Sequence, residues 1–373
     1  MGGCDVDMLA RGASGMAAAL SLAEAMNIVF FKVSPIGDTV MFLPVVQALR
    51  RLRPKWTLTV VTTPLCAELF SPSIGKGNVI ALERQALRRC WRRPLLFVSL
   101  LRRLRNLRPD AAMLSFDQSS MARILGVASG AQLRIGGAGS AVRWNRGITR
   151  EVKIMEGHSL AQWDWEMARA LLSGTDVQWT ESPPPPEVGV PATGRPRARP
   201  RILVHAGASR DYQRWPAQRF ADLAAKLASD FDVVWVQAPE ASWTKPAPGV
   251  EVAPSQSLGD FMRLASSADL FVGNHSGPLH LASAMGLACV VPTGPTLPAC
   301  DPFWHRDRVV LLRRQGLSCM PCDHLIASPN RCLNSQSPMA CLDYWSVEAV
   351  ERACREAIDR ARAAQRTGMD RPR

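Results

Sequence analysis

No stretch of this sequence approaches the roughly 18–20 apolar residues that carry a helix across a bilayer, so no transmembrane helix is expected. Tyrosine is nearly absent, at two in 373 residues. The main arginine block has only Trp91 and Phe97 as its aromatics, too few for the interleaved platform on which nucleic-acid bases stack, and a nucleic-acid partner is not expected. The sequence has no G-x-G-x-x-G, no G-x-x-x-x-G-K-[ST] and no H-E-x-x-H. These absences argue against a dinucleotide enzyme, a P-loop ATPase and a zinc peptidase. Acids are outnumbered, 32 against 45 lysines and arginines, for a net charge of +13. That imbalance points to anionic partners such as phosphates or a membrane surface. The first 25 residues carry acids early and lack a basic start followed by an apolar block, which makes a poor secretory signal. They are read as an extension ahead of the first strand, expected to be poorly ordered. Ten cysteines in a chain of this size do not make a disulfide scaffold. Reduced thiols in a cytosolic protein are expected.

The length predicts two domains. Ile28–Val33 is a continuous run of β-branched and aromatic residues, as in a strand buried on both faces. Ser34-Pro-Ile-Gly-Asp38 breaks it, and Val40 to Leu52 has apolar residues at helical spacing with Pro44 inside, where a kink or restart is expected. Strands are read at Thr57–Val61 and Asp110–Ser115. The proline-rich stretch 182–200 is the linker candidate. The pattern then repeats: strand Arg201–His205, helix Pro216–Ser229, strand Asp232–Gln237, a capped helix from Ser257 to Ser267, and strands at Leu270–Val272, Cys289–Val291 and Val309–Leu312. Alternation of this kind predicts two open α/β domains, at 26–181 and 201–345, with a C-terminal helix over 346–373.

Ligands of open parallel sheets bind where strand C-termini meet helix N-termini. Three such crossings carry suggestive chemistry. At the first, Lys32-Val-Ser34-Pro-Ile-Gly37-Asp38, the glycine permits a tight turn, and the carboxylate either caps the helix or serves as a general base. The second runs from His205 through Gly207, Ala208 and Ser209. Small residues there let backbone N–H groups close on a phosphate, and Arg210 and Arg214 supply charge. The third, Gly273-Asn-His275-Ser276-Gly277-Pro-Leu-His280, joins glycines, a hydroxyl and two imidazoles at a strand-to-helix turn.

The order of these motifs resembles glycosyltransferase family 9, the ADP-heptose:lipopolysaccharide heptosyltransferases. IVFFKVSPIGD resembles the family's opening strand and S-x-x-G-D turn. HAGASRDYQRWP resembles its H-P-G-A-S…K-R-W-P segment, and GNHSGPLHLA followed by Gly294-Pro-Thr296 resembles G-N-D-S-G-P-x-H-L-A and G-P-T. The resemblance runs from about Met26 to the C-terminal helix. It implies an α/β fold of the GT-B type, two Rossmann-like parallel-sheet domains facing a central cleft, with the acceptor bound by the first and the nucleotide sugar by the second. It implies an inverting, metal-independent transfer of a heptose from ADP-heptose to a lipopolysaccharide core or similar glycan, with Asp38 as the base and Lys32, Ser34 and Gly37 near the acceptor. His205, Gly207, Ala208, Ser209, Arg210, Gln213 and Arg214, with His275, Ser276, Gly277 and His280, take the donor. Two positions depart from the pattern: the family's lysine before R-W-P is Gln213, and its aspartate in G-N-D-S-G is His275. They open the alternatives of a degenerate member acting as a binding or scaffold subunit, or of transfer to a protein acceptor as in autotransporter heptosyltransferases.

Two features stand outside these motifs. Cys319, Cys322, Cys332 and Cys341 lie in a loop-like segment and could close a tetrahedral site. Similar groups occur near the C-terminus of many family members and hold iron in the autotransporter branch. The resemblance therefore implies a structural iron or zinc there, against the alternative of four reduced thiols. Nine arginines lie between Arg84 and Arg108 around the apolar block Leu95–Leu101. They form either a solvated face or a docking surface, for a phosphorylated core acceptor or for anionic lipid headgroups on the inner face of the inner membrane. The sequence leaves the oligomeric state open.

Overall fold

The computed structural model describes residues 25–366, apart from 116–119, 139–146, 154, 176, 190–197, 239–245, 247 and 324–328. The extension expected over the first 25 residues falls almost wholly outside the described ones. The chain divides into two compact units, 1–184 and 185–373, a division inside the proline-rich stretch.

In the first unit the strands are β1 (Asn27–Lys32), β2 (Thr57–Thr62), β3 (Val79–Ala81), β4 (Ala111–Leu114), β5 (Leu133–Ala138) and β6 (Arg150–Lys153). All neighbours pair in parallel, in the order β3-β2-β1-β4-β5-β6. The helices are α1 (Ile36–Leu52), α2 (Ala67–Ile74), α3 (Arg84–Arg88), α4 (Pro94–Asn106), α5 (Ser120–Ala128) and α6 (Leu160–Leu171). β1 is central and its apolar side chains are buried, as expected of a strand covered by helices on both faces.

α1 runs through Pro44 as one helix, so of the kink or restart expected there the restart does not occur. A proline inside a helix removes one ladder bond and costs about 3 kcal/mol. Here every residue from Thr39 to Leu49 is buried, and that apolar burial, roughly 1.5–3 kcal/mol for each large side chain, outweighs the lost bond. α6 begins with a reciprocal capping box between Ser159 and Gln162 and packs along α1.

The second unit repeats the plan. Its strands are β7 (Arg201–His205), β8 (Asp232–Gln237), β9 (Glu251–Pro254), β10 (Leu270–Gly273), β11 (Ala288–Thr293) and β12 (Val309–Arg313), in the order β12-β11-β10-β7-β8-β9. Read from its own first strand, this is the same doubly wound order as in the first sheet, 3-2-1-4-5-6. The helices are α7 (Ala217–Leu227), α8 (Leu258–Ser266), α9 (Gly277–Ala284), α10 (Ala340–Asp343) and α11 (Val347–Arg366). The expected cap of α8 is present, with Ser257 and Asp260 exchanging hydrogen bonds. α11 packs along β11 and α7 and buries Val350, Cys354 and Ile358 in the core that holds Trp215, Phe220 and Trp235.

Both sheets reverse direction beside their first strand, between β1 and β4 and between β7 and β10. The crevice outside such a reversal is where ligands bind in this class of sheet. The three motif-bearing turns follow β1, β7 and β10.

Candidate active site

In the first unit, Lys32 ends β1 and Ser115 follows β4, one on each side of the reversal. Lys32 Nζ donates to Ser115 Oγ at 2.7 Å and to Asp164 Oδ2 of α6 at 2.8 Å, and Ser115 Oγ donates to Asp164 Oδ1 at 2.6 Å. The ammonium also lies 5.5 Å from the centre of the Phe42 ring on α1. Lys32 and Asp164 are both fully buried. Lys32 was expected near an acceptor, but its charge is directed inward, beneath the turn, where it joins β1, β4, α1 and α6. Ser34 and Gly37 are also buried.

Asp38 is the charged residue of this turn that reaches the surface, half-buried. It occupies the third position of α1, whose N-cap is Pro35 and has no side-chain cap. The positive end of the helix favours the ionised carboxylate there. Behind it, burial pushes the Cys66 thiol up, and the nearby Asp38 charge adds to the shift. Asp38 thus stands half-buried in the first turn of α1, at the positive end of the helix.

In the second unit, two turns are fastened together by one side chain. Asn274 is fully buried; its Oδ1 accepts from the Trp215 N–H at 2.8 Å and its Nδ2 donates to the Ala206 carbonyl at 2.8 Å. The turn after β7 and the one after β10 are thus locked edge to edge. Gly273 is required by the same proximity, since a Cβ there would stand 2.9 Å from the His205 carbonyl oxygen. His205 itself is buried against Phe261, with Gly207 and Ala208 buried beside it and Ser209 exposed. Ser276 caps α9 without using its hydroxyl on the helix amides. An uncapped, dipole-aligned helix start of this kind suits an anion.

The two histidines of this turn have different surroundings. His275 Nε2 lies 3.0 Å from Asp301 Oδ1, and Arg313 bridges both oxygens of the same carboxylate at 2.7 and 3.2 Å. Burial pushes the Asp301 carboxyl up, but hydrogen bonds from His275 and Arg313 outweigh it and hold the group below its usual range. An ionised carboxylate only accepts, so Nε2 carries a proton directed at Asp301. His280 packs edge-on to His275, ring centres 5.6 Å apart. Burial, followed by the neighbouring His275, lowers its pKa to about 3, so it is neutral at physiological pH.

That shift has a consequence for stability. In the unfolded chain His280 takes up a proton near its ordinary pKa of 6.5, whereas in the fold it resists protonation down to about 3. Its contribution is fully present above pH 6.5 and is lost as the pH falls through that window, at up to about 1.4 kcal/mol per pH unit. Urea unfolding at pH 7 and pH 5 is expected to give a smaller acid-induced loss in His280→Gln than in the native chain. An unchanged difference would show that the imidazole is not held neutral.

The basic residues of the β7 turn are committed to acids. Arg210 donates to Asp323 Oδ1 at 3.0 Å and to the Tyr212 hydroxyl, and the Gln213 amide donates to Asp323 Oδ2. Arg214 donates to the Ala208 carbonyl at 2.9 Å and to the exposed Asp211. Asp323 follows Cys322, so the turn after β7 is tied to the cysteine segment. Tyr212 and the cysteines at 319, 322, 332 and 341 all line one cavity of about 10 Å³, room for a single water-sized group. The Met339 N–H lies 3.4 Å from Cys332 Sγ. The sulfurs are nevertheless not drawn together: among the described residues, no group of three Cys, His, Asp or Glu side chains is arranged to hold an ion. A larger cavity of about 510 Å³, bounded by Arg199, Phe231 and Glu251, lies beside β8 and β9, away from these turns.

Residues 158–327 match the family model described as Glycosyltransferase family 9 (heptosyltransferase). This segment belongs to glycosyltransferase family 9. Lipopolysaccharide heptosyltransferase 1 of Campylobacter coli is 30% identical over 108 residues, which are 26% of this chain and 32% of that protein. The chain thus spans about a third of the curated relative that it matches. The crystal structure of the family 9 glycosyltransferase from Veillonella parvula superposes with a TM-score of 0.66 at 17% identity, covering 89% of this chain and 97% of that one. E. coli ADP-heptose lps heptosyltransferase II gives 0.64 at 17% identity, over 90% and 99%. The fold is accordingly α/β of GT-B type, two Rossmann-like parallel sheets in one chain.

The family segment contains the turns after β7 and β10, and with them four residues that sequence reasoning passed over. Asn274 stood inside a quoted motif, but its role needs two turns 59 residues apart to meet. Asp301, Arg313 and Asp323 lie in no motif, and only the folded chain brings them to His275, Arg210 and Gln213.

Proposed function

We propose that the chain is an inverting glycosyltransferase that moves a heptose or a related sugar from a nucleotide-sugar donor, ADP-heptose, to a lipopolysaccharide core or similar glycan. The observation that carries this reading is the placement of Asp38 and of the Asn274-fastened turns at the order reversals of two like sheets. Asp38 takes the proton of an acceptor hydroxyl as its oxygen attacks the anomeric carbon. The bond from that carbon to the diphosphate breaks, configuration inverts, and the proton leaves later from Asp38 to solvent. Negative charge builds on the departing diphosphate. The amides of the β7 and β10 turns, the start of α9, and Arg214 are the groups that would receive it, without a catalytic metal.

The two departures from the family pattern bear on the sugar. Where the family carries an aspartate, His275 presents an imidazole held in orientation by Asp301, with Nε2 3.0 Å from its Oδ1. A polar group for a sugar hydroxyl is thereby kept at that place, with a different reach. This favours an active transferase over a degenerate binding subunit. Incubating the purified chain with ADP-heptose and a heptose-deficient core acceptor, with ADP release and product mass as readouts, tests the reading. Donor binding without any transfer would return it to the binding-subunit alternative.

A structural iron or zinc at the four cysteines belongs to the same reading. What supports it is the donor set, the ion-sized cavity they share and the Met339 N–H directed at Cys332. Bound there, the ion would pin a segment that has little regular structure. Burial, followed by the neighbouring thiols, pushes Cys341 up to about 11, so binding an ion there would release its proton. Gently purified protein is expected to contain about one iron or zinc per chain, the number that one tetrahedral four-thiolate site holds. The content should fall in Cys322→Ser. Clearly sub-stoichiometric metal would leave four reduced thiols as the description.

A further inference from the structure

The charge run that the transferase chemistry does not use forms a corner of the first unit. α3 ends at Arg88, a single 3-10 turn covers Cys90–Arg92, and α4 begins at Pro94. α4 meets the core with one stripe: Leu100 and Leu104 are buried, and Phe97 and Leu107 are partly so. Leu95 stands about 200° round the helix from Phe97, so packing makes no demand for an apolar residue there. It is nonetheless a leucine, 87% exposed, beside Trp91 at 61% and Val98 at 41%. Large apolar side chains grouped and exposed in this way mark an interaction surface.

Around them Arg88, Arg89, Arg92 and Arg93 are exposed, and the Arg92 guanidinium lies 4.8 Å from the centre of the Trp91 ring. No acidic residue occurs between Glu83 and Asp110. α5, which packs on α3 and α4, contains none either. The corner is therefore apolar at its tip and cationic around it.

We infer that this corner docks on an anionic lipid bilayer, with the arginines at headgroup level and Trp91, Leu95 and Val98 inserted among the acyl-chain ends. Arginine is drawn to the surface potential of anionic leaflets, and an indole settles at the boundary between headgroup and hydrocarbon. Nucleic acid shares the charge complementarity but has no use for exposed leucine and valine; it binds single strands by stacking on aromatic platforms. The inference extends the transferase reading by naming the surface in which a lipid-borne acceptor lies. It is tested without donor or acceptor, so the two stand or fall separately.

Flotation of the full chain with vesicles of phosphatidylethanolamine and phosphatidylglycerol, and with vesicles of phosphatidylcholine alone, tests it. Binding is expected to the anionic vesicles and to weaken at high salt. Each arginine is worth roughly fivefold in affinity, so exchanging the four for glutamine should lower binding by a factor on the order of several hundred. Leu95→Ser with Trp91→Ala should lower it by a factor on the order of a hundred, with thermal unfolding unchanged. Leu95→Ser by itself, at the most exposed of these sites, provides a variant that leaves the core untouched. Equal binding to neutral and anionic vesicles would overturn the inference, as would native affinity in folded Leu95→Ser/Trp91→Ala. Displacement from vesicles by DNA at equal phosphate concentration would assign the surface to nucleic acid instead.

Discussion

Asp38→Asn is expected to lower the rate of sugar transfer by about 10²–10⁴-fold, the usual contribution of a general base. Asparagine keeps the shape and the polarity of the side chain but cannot accept the hydroxyl proton. The turns proposed to bind the donor lie in the other unit, so donor binding measured by calorimetry should be unchanged and the loss should appear in kcat. The competing role at this position is helix stabilisation. A first-turn carboxylate is worth about 0.3–1 kcal/mol through the helix dipole, and that role alone would shift thermal unfolding slightly and leave the rate intact. A variant that transfers at the native rate would therefore remove Asp38 from the chemistry and leave it as a cap.

Asp164→Ala is expected to destabilise the first unit by about 3–5 kcal/mol, because it leaves the Lys32 ammonium buried without its counter-charge. Such a loss is a large share of the stability of an ordinary domain. The penalty comes from an uncompensated charge rather than from a missing attraction, so removing the second charge should repair much of it. Lys32→Met combined with Asp164→Leu is expected to unfold at a urea concentration well above that of Asp164→Ala. If the double variant is no more stable than the single, packing around Ser115 and Phe42 holds the site and the ion pair does not. Transfer activity in the double variant has its own meaning: Lys32 sits directly beneath the Ser34–Asp38 turn, so a loss of rate with native stability would show that the buried ammonium sets the position of the base.

The central strands were legible because each is a short run of β-branched and aromatic residues. β7 and β8 were read to the residue, and β1, β2 and β10 within one. β3, β5, β6 and β9 were not read. β3 has three residues, β5 ends in a pair of glycines, and β6 and β9 alternate with charge or carry a proline at the rim. Such segments become strands because a formed sheet offers them an edge, and local preference contributes little. Pro44 misled for the converse reason, since its cost is local and the burial that offsets it is not.

The local chemistry of the turns was written in the sequence: the carboxylate at 38, the small residues from 207 to 209, and the glycines flanking His275. Glycine, proline and capping residues act on their own backbone, and their meaning survives without the rest of the chain. Partnership did not. Lys32 looked like a site residue and folds inward to Asp164, 132 positions away. His275 looked like a lost carboxylate until Asp301 stood behind it. Those facts belong to tertiary structure, because a buried charge or imidazole takes its properties from whatever the fold brings within about 3 Å of it, and sequence distance has no bearing on that.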